Sequence, residues 1–229
     1  MKNLCSALTA AVALAGAANA SVVLQEGFEG PDIGQNWYVY DTFGAFVTVS
    51  GAGIEIQQSG TVVNAYEGNQ YVELDSDFQV SANLGAGSNS AMAASVPLID
   101  GDFYELTFAY LPRTSQANDN GISVDVGALT DGGYGNRAFS ASANLGQMST
   151  ARTASTVWQI VSYYFVAGPG DNAIMFSAFG TENELGGFID DVRLTNLAAS
   201  FDPVPVPAAG LLLVTGLAGL ATRRRKTAA

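Results

Sequence analysis

The chain has 229 residues, with nine Lys and Arg against 21 Asp and Glu, and no histidine. The formal charge of −12 argues against nucleic acid as a partner, because that affinity rests on neutralising phosphates. Without histidine there is no Ser-His-Asp or Cys-His catalysis and no His-ligated zinc or iron.

In chain order, Met1 and Lys2 give a short positive start, Leu4 to Ala18 is small and uncharged, and Ala18-Asn19-Ala20 is an A-x-A cleavage pattern. Residues 1–20 read as a secretory signal peptide, cut before Ser21. Cys5, the single cysteine, leaves with it, so the mature chain has no disulfide and no thiol chemistry.

Residues 21–199 read as one domain of ordinary size, without internal repeats. Short apolar runs alternate with Gly, Asn, Asp and Ser. Strands are expected at Val22 to Phe28, Phe46 to Val49, Ile54 to Ile56, Tyr71 to Leu74, Phe78 to Leu84 and Ala91 to Leu98. The clearest is Tyr104 to Leu111, where Tyr104, Leu106, Phe108 and Tyr110 share one face. Ile122 to Val126, Trp158 to Val166, Ala173 to Phe179 and Phe188 to Leu197 complete the set. No useful window shows helical spacing, so the pattern predicts an all-β, antiparallel β-sandwich.

The tail changes character. In residues 200–207 the alternating Pro203, Pro205 and Pro207 make an extended hinge. Residues 208–222 are apolar and uncharged, a short transmembrane helix rich in Gly and Ala. Arg223, Arg224, Arg225 and Lys226 lead the basic end, residues 223–229, and hold it in the cytoplasm. Removal of both termini leaves only Arg113, Arg137, Arg152 and Arg193 as cations.

This order, with Val204, Pro205, Val206, Pro207 and Ala208 before the apolar run, resembles the PEP-CTERM sorting signals, and more closely their Val-Pro-Leu-Pro-Ala variant. The resemblance implies a Gram-negative bacterium that makes exopolysaccharide, and processing by an exosortase after transient inner-membrane anchoring. Val204 and Val206 stand where the main class carries Glu, which favours the variant. A plain, unprocessed membrane anchor is the alternative.

The order of landmarks in the domain resembles the galactose-binding-like jelly-roll domains, the fold of many carbohydrate-binding modules. Phe28-Glu29 precedes Trp37, Tyr104 to Tyr110 follows Asp100-Gly101-Asp102, Trp158 leads to Phe165, and the end reads Phe188-Ile189-Asp190-Asp191-Val192-Arg193-Leu194. The resemblance implies a jelly roll and, by analogy, a sugar-related role.

Simple alternation places Phe188, Asp190, Val192 and Leu194 of the last strand on one face. Asp190 then faces apolar neighbours and needs an ion, a hydrogen bond or a metal. Calcium is one partner, since it accepts carboxylate and backbone oxygens in loose geometry. In the resembling modules a structural calcium joins the first and last strands. Carried over, its ligands are Glu26 or Glu29 with Asp190 or Asp191. Backbone amides are the alternative.

Trp37 and Trp158 fit either the core or sugar stacking, with the core favoured. Loop aromatics Phe43, Tyr66 and Tyr134 are the expected ligand contacts. The loop Thr130 to Arg137 joins Tyr134 to Asp131, Asn136 and Arg137, a stacking ring beside polar groups. Its plainer reading is a glycine-rich hairpin turn. The paired acids sit beside Gly or Ser in turns, which suits turn formation better than glycoside hydrolysis. The sequence therefore predicts a secreted, non-catalytic protein binding extracellular polysaccharide. A structural matrix protein without a sugar site, and a polysaccharide-active enzyme, are the other readings.

Overall fold

The computed structural model describes residues 20–77 and 87–197. The expected signal segment with Ala18, the strand expected at Phe78 to Leu84, and the tail with Val204 to Ala208 and Arg223 to Arg225 lie outside those residues. In chain order the strands are β1 (Ser21–Glu26), β2 (Trp37–Tyr40), β3 (Thr42–Phe43), β4 (Phe46–Ser50), β5 (Ile54–Gln58), β6 (Gln70–Glu73), β7 (Ala91–Ser95), β8 (Phe103–Leu111), β9 (Gly121–Asp131), β10 (Arg137–Met148), β11 (Gln159–Val166), β12 (Ala173–Phe179) and β13 (Phe188–Asn196). One 3-10 turn, Ala117–Asp119, precedes β9.

They form two antiparallel sheets, as the spacing predicted. One runs β11-β8-β13-β6-β5-β2, with β1 added alongside β13. The other runs β10-β9-β12-β7-β4-β3. The core lies between them. Tyr104, Leu106, Phe108 and Tyr110 of β8 all point into it, the face their alternation assigned. Phe108 meets Phe176 of β12 edge to face at 5.0 Å, and Phe46 of β4 approaches Phe176 at 6.0 Å. Each such ring contributes about 2–3 kcal/mol by leaving water.

Two features depart from the sequence pattern. The expected strands Phe46 to Val49 and Ile54 to Ile56, close in sequence across Gly51-Ala52-Gly53, form no hairpin: β4 belongs to one sheet and β5 to the other. Gly51, at φ 81°, is needed because a Cβ there would lie 2.5 Å from the Asn89 carbonyl oxygen. Strand β10 was also not foreseen. Its run of Ala and Ser hides any alternation, and it gains order by pairing along β9 from Arg137↔Asp131 to Met148↔Ile122.

Candidate functional site

Strand β13 carries the break in regularity that creates the site. Its pairing with β8 runs Phe188↔Leu111, Ile189↔Tyr110 and Asp190↔Ala109, then resumes only at Arg193↔Thr107. At this bulge Asp191 adopts a left-handed φ of 44°. The extra residue reverses the alternation. Ile189, Val192 and Leu194 enter the core between the sheets, while Phe188 packs with Tyr71 and Leu111 on the outer face of the first sheet. The expectation that Phe188, Asp190, Val192 and Leu194 share one face is corrected: Asp190 goes outward with Phe188.

The outer face is nevertheless covered there, because residues 59–69 fold over it. Asp190 holds this loop. Its Oδ2 accepts the amides of Tyr66 at 2.8 Å and Glu67 at 3.1 Å, and its Oδ1 accepts the amide of Asp191 at 2.7 Å. Burial pushes the Asp190 carboxyl up to about 7; the three amides oppose this, and the Glu29 charge adds to it. Tyr71 Oη accepts the amides of Val62 and Val63 from below. Trp158 donates its indole N–H to the Asn64 carbonyl at 2.9 Å.

A cleft of about 250 Å³ opens beside this loop, lined by Asn64, Leu111, Arg152, Thr156, Val157 and Trp158 among others. Trp158 is half-buried. It meets Tyr71 at 6.0 Å and Tyr66 at 6.3 Å, both edge to face. Tyr66 is 44% exposed and Val157 70%. The aromatic and apolar groups thus converge from two separate loops, with Asn64, Thr156 and Arg152 as polar neighbours. Trp158 packs against the outer cluster of Tyr71, Leu111 and Phe188, in line with the core reading, and its remaining exposed part forms a wall of this cleft. A depression of about 520 Å³ lies along Gln35, Asn36, Trp37 and Tyr38, but its lining comes from one continuous stretch and does not converge.

Under the cleft runs a buried polar chain. Tyr71 Oη donates to Gln57 Oε1 at 2.9 Å. The Gln57 amide donates to Glu55 at 2.8 Å and also to Glu73. Arg113 Nη1 bonds both oxygens of Glu73, at 2.6 and 2.5 Å. Burial pushes Glu55 up to about 7, against hydrogen bonds from Asp77 and Gln57. Burial and then the Glu55 charge push Glu73 well above the usual carboxylate range, with Arg113 opposing. The two acids titrate as a pair, and the single cation balances one charge of it.

The other expected site residues are spread over the molecule. Phe43 is only 3% exposed and packs in the core, so it is corrected from ligand contact to core; its ring lies 5.0 Å from that of Tyr40. Asp131, Tyr134, Asn136 and Arg137 sit at the hairpin between β9 and β10, the plainer reading of that loop. Tyr134 is 49% exposed there. Arg137 is turned inward: it pairs with both oxygens of Asp41 and donates its Nε to Asp131. It is therefore a strut of the hairpin rather than a donor for ligand.

Of the four residues expected around calcium, Glu26, Glu29 and Asp190 accept backbone amides. Glu26 caps the amides of Phe28 and Ala45, at 2.9 and 2.8 Å. Glu29 accepts the amides of Asn69 and Gln70, so it holds the far end of the loop that Asp190 holds at Tyr66. Among the described residues no three acidic side chains are arranged to hold an ion.

A scan against protein-family models and a comparison with curated proteins give no match. Among solved structures, the K2 cleaved adhesin domain of Lys-gingipain aligns at 13% identity and a TM-score of 0.48, covering 75% of this chain and 96% of that one. Another cleaved adhesin domain of Lys-gingipain, from Porphyromonas gingivalis, aligns at 16% identity and a TM-score of 0.45, with the same coverage. The C-terminal family 22 carbohydrate-binding module of Clostridium thermocellum Xyn10B aligns at 12% identity and a TM-score of 0.42, covering 83% of this chain and 99% of that one. The pairing of the strands themselves assigns the described residues to the two-sheet antiparallel sandwiches.

Proposed function

We propose that this chain is a non-catalytic extracellular module that holds polysaccharide in the cleft beside Trp158. The observation that carries the reading is a cleft walled by Trp158, whose ring meets that of the exposed Tyr66 at 6.3 Å, with Asn64, Thr156 and Arg152 in the cleft lining. A pyranose ring presents an apolar C–H face and an equatorial belt of hydroxyls. A half-buried indole suits the first, and short polar side chains suit the second. The rings are held by packing and hydrogen bonds, so little side-chain entropy is lost on binding.

The lining gives no reason to expect hydrolysis. Glycosidic cleavage needs two carboxyl groups facing each other across the bound sugar. No acid lines this cleft among the described residues, and Glu55 and Glu73 lie buried behind it. We infer further that residues 1–20 direct secretion, and that an exosortase cuts the tail near Pro205 to Ala208 after transient anchoring in the membrane. The intact mass of protein from its native cell tests that cut.

The binding test is affinity electrophoresis through gels containing soluble polysaccharides. Tyr66→Ala is expected to weaken retention five- to tenfold with an unchanged melting temperature, and Trp37→Ala to leave it unaltered. Equal retention of Tyr66→Ala and wild type on every glycan that wild type binds overturns the reading.

A further inference from the structure

Cations are scarce in this chain, and two of the described ones are already committed. Arg113 pairs with Glu73, and Arg137 with Asp41 and Asp131. Arg193 is exposed on the outer face of β13, away from the cleft lining. Arg152 remains. Its amide is fixed to the Thr114 carbonyl at 2.7 Å, and the residue lines the cleft that Trp158 also lines. Neither Arg152 nor Arg193 takes part in an ion pair among the described residues. With 21 acids in the sequence, an arginine in an aromatic cleft that meets none of them has its charge available to a ligand. A planar guanidinium with a fork of donors matches a carboxylate better than it matches hydroxyls.

We propose that the ligand of this cleft is an acidic polysaccharide, one uronate carboxylate pairing with the Arg152 guanidinium while its ring lies against Trp158. This inference rests on the glycan-binding reading and names the substrate class for it. It also gives the domain a selective device. The overall negative charge repels polyanions in general, so only a chain that places a carboxylate on Arg152 and a ring on Trp158 is retained.

Calorimetric titration of the full domain with oligogalacturonates and alginate oligomers, against xylo- and cello-oligosaccharides of equal length, tests it. The buffer holds a chelator, so that no divalent ion bridges acids. Wild type is expected to bind the uronate oligomers more tightly than the neutral ones. Arg152→Gln should lose about tenfold on uronates and no more than about twofold on neutral oligomers, where it gives up a hydroxyl contact but no ion pair. Arg193→Gln should change neither, which separates a local contact from net charge. Trp158→Ala is not the deciding variant, because Trp158 also packs on Tyr71. The inference is overturned if neutral oligomers bind as tightly as uronates, if Arg152→Gln binds uronates as wild type does, or if Arg193→Gln loses as much. Binding of neutral oligomers alone leaves the glycan reading standing and removes this one. Binding of neither class removes both.

Discussion

Glu55 and Glu73 stand directly opposite each other on β5 and β6, both shielded from solvent, and share the side-chain amide of Gln57. Like charges so placed repel, and among the described residues Arg113 is the cation paired with them. Burial already raises both, so the pair binds a proton at pH values where the unfolded chain has lost it. Its stabilising contribution is complete below the ordinary carboxylate range and is lost as pH rises through about 7. Asp190, also raised by burial to about 7, acts in the same direction. Urea unfolding should show stability falling from pH 5 to pH 8 by about 1–3 kcal/mol. Glu55→Gln should flatten that slope; a slope of opposite sign in wild type contradicts the account.

Removing the cation should be far worse than removing one acid. Arg113→Gln leaves the buried Glu73 carboxylate without its counter-charge, at a cost of about 3–5 kcal/mol. The loss should shrink at pH 5, where the pair can be neutralised by protons. An equal loss at both pH values means that Arg113 acts by packing alone.

Asp190 should prove to be the anchor of the ligand loop. Asp190→Ala leaves the amides of Tyr66, Glu67 and Asp191 without their acceptor, at a cost of about 2–4 kcal/mol. It should also weaken glycan retention, since Tyr66 sits on the released segment. A variant that is destabilised but fully retained separates the anchor from the cleft.

Calcium at the same loop stands as a proposal. Asp190 and Glu29 bond opposite ends of residues 66–70, and neither is in an ion pair among the described residues. A calcium ion shared by the two would raise the melting temperature by several degrees at millimolar concentration, reversed by chelator. An unchanged melt leaves the amides as their partners.

The two loop aromatics that looked alike should behave differently. Phe43→Ala empties a core position and should cost about 3–5 kcal/mol of stability. Tyr134→Ala, at the tip of the β9–β10 hairpin, should leave the melting temperature within one or two degrees. If Tyr134→Ala nevertheless lowers retention on the bound polysaccharide, the hairpin is a second contact for the same chain of sugars.

What the sequence determined by itself was set by local periodicity and composition. The faces of Tyr104 to Tyr110 followed from alternation alone, because β8 is regular along its length. The absence of histidine removed whole classes of chemistry whatever the fold. Only the tertiary structure decided where Asp190 points, because one extra residue at Asp191 reverses the alternation and nothing local announces it. It likewise decided that Phe43 is core and that Trp158 walls a cleft. Those outcomes depend on what residues 59–69 and the opposite sheet cover, and coverage is a property of contacts far apart in the chain.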